Sequence, residues 1–188
     1  MKLKTLGGLV AALVAVPGVS LAQFNYSYVD LDYVFDVEFG SLDGDGFAIG
    51  GQFEVAETFF IGAAYEDYSL DIDGLDINVD SEILEVFGGY FHNLNEQLDF
   101  VATFGWVDLE IGNGDDDGLS LSGGVRYAIN SDIEVDAMLE HVNYDEGGSD
   151  TGVALRGRYY FNEDFAVSAQ FDLGKDIETF RIGIRYQF

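Results

Sequence analysis

Phe165-Ala166-Val167-Ser168-Ala169-Gln170-Phe171-Asp172-Leu173 decides the fold: Phe, Val, Ala, Phe and Leu stand at every second position, with Ala, Ser, Gln and Asp between them. A period of two is that of a strand with one apolar and one mixed polar face, and no helical period competes with it. The last stretch repeats the pattern, Phe180, Ile182, Ile184, Tyr186 and Phe188 alternating with Arg181, Gly183, Arg185 and Gln187. Working back along the chain, similar alternation covers 151–161, 132–143, 118–129, 97–109, 82–92, 58–69, 46–55 and 28–39. The pattern predicts ten strands, or eight if the first hairpin is misread.

The connections alternate in character as well. Ala56-Glu57, His92 to Glu96, Asn130-Ser131 and Asn162-Glu163 are short, whereas Gly40 to Asp45, Leu70 to Asp80, Gly112 to Gly118, Asp145 to Asp150 and Gly174 to Ile177 are rich in Gly and Asp. Short turns at one end and longer acidic loops at the other are the signature of an up-and-down antiparallel transmembrane β-barrel, with turns in the periplasm and loops outside.

Residues 1–22 read as a secretory signal, with Lys2 and Lys4 as the basic region, Leu6 to Val16 as the apolar stretch and Ser20-Leu21-Ala22 as the cleavage site. Residues 23–188 are then the barrel. Removing the signal also removes Pro17, the single proline of the 188-residue chain, as a closed barrel without edge strands prefers. Only Lys175 and five arginines remain against 35 acids. That balance excludes nucleic acid as a partner, because phosphate binding needs clustered Lys and Arg. The absence of cysteine excludes thiol catalysis, Cys-based zinc sites and disulfides, and nothing in the sequence calls for a cofactor.

A soluble barrel also alternates, but with its apolar face inward. Arg126, Arg156, Arg158, Arg181 and Arg185 all fall on the polar face of a strand, and that face carries Gly50, Gly62, Gly89, Gly105 and Gly124. A water-facing surface of this size would carry scattered lysines, so the polar face reads as an enclosed, crowded interior and the apolar face as the lipid side. Phe59, Tyr90, Phe100, Tyr159, Phe161, Phe165, Tyr186 and Phe188 lie near the short turns, and Tyr33, Tyr65, Trp106 and Tyr144 near the acidic loops, predicting two aromatic girdles.

Gly183-Ile184-Arg185-Tyr186-Gln187-Phe188 resembles the C-terminal assembly signal of bacterial outer-membrane barrels. The resemblance implies insertion by the barrel-assembly machinery, with Gly183, Tyr186 and Phe188 as the signal, and residence in the bacterial outer membrane. Tyr28-Val29-Asp30, Asp45 to Gly51 and Ser122 to Tyr127 are similar to a family of outer-membrane barrels regulated by diffusible signal factor. That family has been linked to quorum sensing or host recognition, so the resemblance implies a barrel more firmly than a signalling role.

The five arginines share the expected lumen with inward-facing Asp30, Asp32, Glu54, Glu85, Asp99, Glu134, Asp136 and Glu140. Guanidinium binds carboxylate in a planar fork and is costly to bury unpaired, which predicts a luminal ion-pair network. A closed lumen with a structural or surface-interaction role is favoured over a narrow cation-favouring channel, because a barrel of this size is nearly filled by its own side chains. Asp71, Asp73, Asp76 and Asp80 offer oxygen ligands for calcium, although the spacing departs from an EF-hand loop and solvated acids are the simpler reading. Outer-membrane lipid and lipopolysaccharide, the latter bridged through divalent cations at the acidic loops, are the expected partners. A rim-active hydrolase is the remaining alternative. His141 near Asp145 is its positional match, but its parity with Leu139 turns the ring toward lipid, and His92 is expected in a turn. No enzyme activity is predicted.

Overall fold

The computed structural model describes residues 24–39, 42–72, 78–175 and 177–188; the signal segment expected over residues 1–22 lies outside them. Ten antiparallel strands form one closed barrel: β1 (Tyr28–Phe39), β2 (Leu42–Ala56), β3 (Phe59–Ile72), β4 (Asn78–Asn95), β5 (Leu98–Ile111), β6 (Gly114–Ala128), β7 (Ile133–Tyr144), β8 (Ser149–Tyr160), β9 (Phe165–Leu173) and β10 (Ile177–Gln187). Each strand pairs with its sequence neighbours, and β1 closes on β10 from Tyr28 opposite Gln187 to Phe39 opposite Ile177. This is the up-and-down order, with ten strands rather than eight.

The short turns are written in asparagine. Asn130 Oδ1 accepts the backbone N–H groups of Asp132 and Ile133 at 2.8 and 2.9 Å, and Asn162 Oδ1 does the same for Asp164 and Phe165, both at 2.9 Å. A side chain that holds the N–H groups two and three residues on fixes the reversal locally. At the opposite end the strands run further than the sequence pattern predicts. Asp115, Asp116 and Asp117, expected in a loop, lie on β6 opposite Glu110, Leu109 and Asp108. Cross-strand pairing continues beyond the apolar belt because charged side chains on both faces of a hairpin there are in water. His92, expected in a turn, is on β4 opposite Phe100, since β4 continues to Asn95.

The wall is apolar outward. Leu139, Phe104, Leu121 and Ile184 are all more than half exposed, whereas the largest side chain with no exposure at all is Arg185. An apolar belt of this extent is stable only against hydrocarbon. The belt has aromatic edges. At the short-turn end Phe59 packs on Tyr90 with centroids 5.4 Å apart and Phe165 on Tyr186 at 5.0 Å. At the loop end Tyr33 donates to Asp45 at 2.5 Å, Tyr65 to Glu82 at 2.8 Å and the Trp106 indole N–H to Asp117 at 3.2 Å. Each ring lies on the apolar wall and sends its polar atom to an acid beyond it, as interfacial aromatics do. Tyr144, expected in this girdle, faces inward and lines the lumen.

Candidate functional site: the lumen

Inward positions of adjacent strands bring the arginines and acids together near the short turns. Asp30 on β1 receives Arg185 of β10 through two guanidinium nitrogens, at 2.8 and 2.6 Å, and Arg156 of β8 at 2.8 Å. Arg156 also lies 3.5 Å from Asp32. Arg126 on β6 binds Glu134 at 2.6 Å and Arg158 on β8 binds Asp136 at 2.6 Å, with Glu134 at 3.9 Å. Arg181, higher in the barrel, reaches Glu66 at 2.9 Å and Asp172 at 3.1 Å. Glycine at two inward strand positions leaves room for side chains that fill the lumen. A Cβ at Gly183 would lie 2.0 Å from Asp32 Oδ1, and one at Gly89 would lie 2.0 Å from the Phe60 ring. Gly183 therefore has a packing reason to be glycine.

The expected network is only partly the one formed. Among the described residues Glu54, Glu85, Asp99 and Glu140 make no ion pair with an arginine, whereas Glu66 and Asp172, absent from the expected set, do. Glu66 lies 115 residues from Arg181 and meets it across the lumen, a contact that needs the barrel's register to be seen. Asp99 instead accepts Tyr26 Oη at 2.9 Å and Asn93 Nδ2 at 3.1 Å, Glu54 accepts the Tyr26 backbone N–H at 3.2 Å, and Glu85 accepts the Ser120 hydroxyl.

The interior is also less polar than the alternation suggests. Phe60, Phe91, Val101 and Ala128 form a buried cluster with Phe24 and Tyr26 near the short turns. Val34, Val37, Tyr68 and Leu70 form another toward the loops; Val37 faces inward because a bulge between Val34 and Val37 shifts the parity of β1. Small neighbours such as Gly89 leave room for rings on what is otherwise the polar face.

Phe24 to Ser27, ahead of β1, turn into the short-turn end of the barrel. Tyr26, 2% exposed, stacks on Phe91 with centroids 4.0 Å apart and on Phe60 at 5.5 Å. The Arg126 guanidinium lies 4.9 Å from the Phe24 ring centre and 5.1 Å from that of Tyr26, and donates to the Asn25 carbonyl at 2.9 Å. Gln52 Nε2 holds the Tyr26 carbonyl at 3.2 Å, and Asn25 Nδ2 the Phe188 carbonyl at 3.2 Å. Burial drives the Tyr26 phenol well above its usual pKa against the opposing pull of Arg126, so it remains a donor to Asp99. The lumen holds a cavity of about 430 Å³ that extends from Tyr26 to Tyr144, Asp150 and Gly174 at the loop end.

Of the proposed calcium ligands, Asp73 and Asp76 lie outside the described residues. Asp71 and Asp80 are exposed on β3 and β4, opposite Asn78 and Ser69. Among the described residues no cluster of three or more His, Asp or Glu is placed to hold a metal ion. His141 is exposed on the wall, its Nδ1 2.7 Å from Thr151 Oγ1.

No protein-family model matches the chain, and no curated protein matches it in sequence. Solved structures do match in fold. The NanC porin superposes with a TM-score of 0.56 at 12% identity, covering 85% of this chain and 100% of the porin. The translocator domain of the autotransporter NalP from Neisseria meningitidis superposes with a TM-score of 0.50 at 10% identity, covering 89% of this chain and 90% of that domain. Fold and wall together define an up-and-down β-barrel with an apolar outer face, similar in fold to these outer-membrane structures.

Proposed function

We propose that the chain is an exported integral protein of the bacterial outer membrane whose barrel is closed at its periplasmic mouth and whose role is structural and surface-interacting rather than conducting. The observation that carries this reading is the stopper: Tyr26, fixed by rings on one side and by Asp99, Glu54 and Gln52 on others, fills the mouth above which a pore would have to continue. The acids on the loop-end strand extensions, among them Asp71, Asp80 and Asp115, support contact with lipopolysaccharide through bridging divalent cations. The C-terminal Gly183, Tyr186 and Phe188 support delivery through the barrel-assembly machinery. Similarity to barrels regulated by diffusible signal factor supports that family, without a signalling role of its own.

A second reading is favoured by the cavity. Its acidic lining would prefer cations, and displacement of Phe24 to Ser27 would turn it into a narrow channel. Recording in planar bilayers separates the two: the purified protein is expected to be silent, and steady cation-selective steps from the unaltered chain overturn the closed reading. Chelation with EDTA is expected to ease extraction of the protein from cells; unchanged extraction removes the bridged lipopolysaccharide contact.

A further inference from the structure

Eight carboxylates and four guanidiniums line the luminal cavity, whose lower end is filled, and with Arg185 on Asp30 and Asp150 partnered elsewhere a smaller excess of negative charge remains. The excess is localised. Arg126, Arg156, Arg158 and Arg181 are each engaged with acids of the lower and middle lumen. Glu85, by contrast, has only the Ser120 hydroxyl, and Glu140 makes no hydrogen bond or ion pair among the described residues. Both line the cavity. Arg181, lining the same cavity, is engaged with Glu66 and Asp172 instead.

Enclosed carboxylates without counter-charges favour a cation, because an uncompensated charge held away from bulk water is costly. A bare metal ion fits poorly, since the described acids do not converge as a ligand set. The walls toward the loop end are apolar and aromatic instead: Val107, Leu109, Val142 and Tyr144 all line the chamber. Its volume of about 430 Å³ falls in the range of small-molecule sites, roughly 300–1,000 Å³. Tyr144 and Tyr68 offer ring faces of the kind that attract cations.

We infer that this chamber is a binding site for a small amphipathic organic cation, reached from the loop end. The ammonium sits between Glu85 and Glu140, and the apolar body lies against Val107, Val142 and Tyr144. The inference goes beyond the structural role proposed above and is independent of whether the barrel conducts.

The test is calorimetric titration of the full barrel, refolded in non-ionic detergent, with 2-phenoxyethylammonium and with its neutral counterpart 2-phenoxyethanol. One-site saturable binding of the ammonium is expected, with the alcohol about tenfold weaker or more, since a hydrogen bond to a charged group is worth about 1.5–3 kcal/mol. In the double variant Glu85→Gln, Glu140→Gln the ammonium should weaken by a similar factor while a folded barrel still migrates distinctly on an unboiled gel. Equal affinity for the two probes, absence of saturable heat, or undiminished affinity in the folded double variant overturns the site. If the double variant does not fold, the comparison of the two probes on the unaltered chain decides alone. A silent bilayer recording beside saturable binding keeps the site and the closed barrel together; steady steps beside binding keep the site and remove the closure.

Discussion

The two halves of the lumen solve the burial of charge in opposite ways. Toward the short turns Arg126, Arg156, Arg158 and Arg185 are matched by Asp30, Asp32, Glu134 and Asp136, and the remaining space is taken by Tyr26, Phe60 and Phe91. Toward the loops Glu85 and Glu140 pair with no cation among the described residues and stand beside a cavity. The difference teaches that tight packing in this interior follows the arginines. A guanidinium can organise several carboxylates and stack on rings at once, as Arg126 does with Glu134, Phe24 and Tyr26.

That contrast can be broken most forcefully at Arg185. Replacing it by Met leaves Asp30 buried with one of its two guanidinium partners gone, and stability should fall by about 3–5 kcal/mol, read as the urea unfolding midpoint in phospholipid vesicles. A loss below about 1 kcal/mol, the size of an exposed pair, would show that water enters the lower lumen freely. Tyr26→Ala comes next. It removes a stacked, hydrogen-bonded ring from the mouth and should cost about 3 kcal/mol, the low end for truncating a buried aromatic. The same variant should give bilayer conductance where the unaltered chain gives none; continued silence would place the closure elsewhere. At the outer interface, Trp106→Phe loses the bond to Asp117 and should cost about 1 kcal/mol, measured in the same vesicles. The smallest effect is expected in the loop half. Glu140→Gln removes an enclosed charge that pairs with no arginine among the described residues, and should leave stability undiminished or slightly raised, because an uncompensated charge is relieved. A loss comparable to that of the Arg185 variant would mean that Glu140 belongs to a paired network after all.

The strands and their faces were legible because lipid demands an unbroken apolar row: Phe165 to Leu173 and Phe180 to Phe188 state it without ambiguity. The strand ends toward the loops were less so, because Asp115 to Asp117 carry a loop composition while their backbones go on pairing with β5. Within the lumen, local parity located the arginines, and the cross-strand partners Asp30, Asp32, Glu134 and Asp136 followed. The Arg181 pair with Glu66 did not, because β10 and β3 are not neighbours and only closure of the barrel brings them together. Phe60 and Phe91 were hidden by their own chemistry, since a ring on an otherwise polar face reads as an exception. Glycines at 62 and 89 were the signal that space had been left for rings. Nothing in the spacing of Phe24 and Tyr26 indicates that they turn into the barrel.

The most direct test is the environment of two adjacent positions on β8, Ala154 and Leu155, which are 5% and 41% exposed. The chain has no cysteine of its own, so Ala154→Cys and Leu155→Cys can each carry a single spin label in vesicles. Collision with dissolved oxygen, which concentrates in hydrocarbon, should be high at 155 and low at 154. The reverse, with 155 relaxed by a water-soluble nickel chelate and 154 by oxygen, would contradict a barrel whose aliphatic face meets lipid and whose arginines lie within.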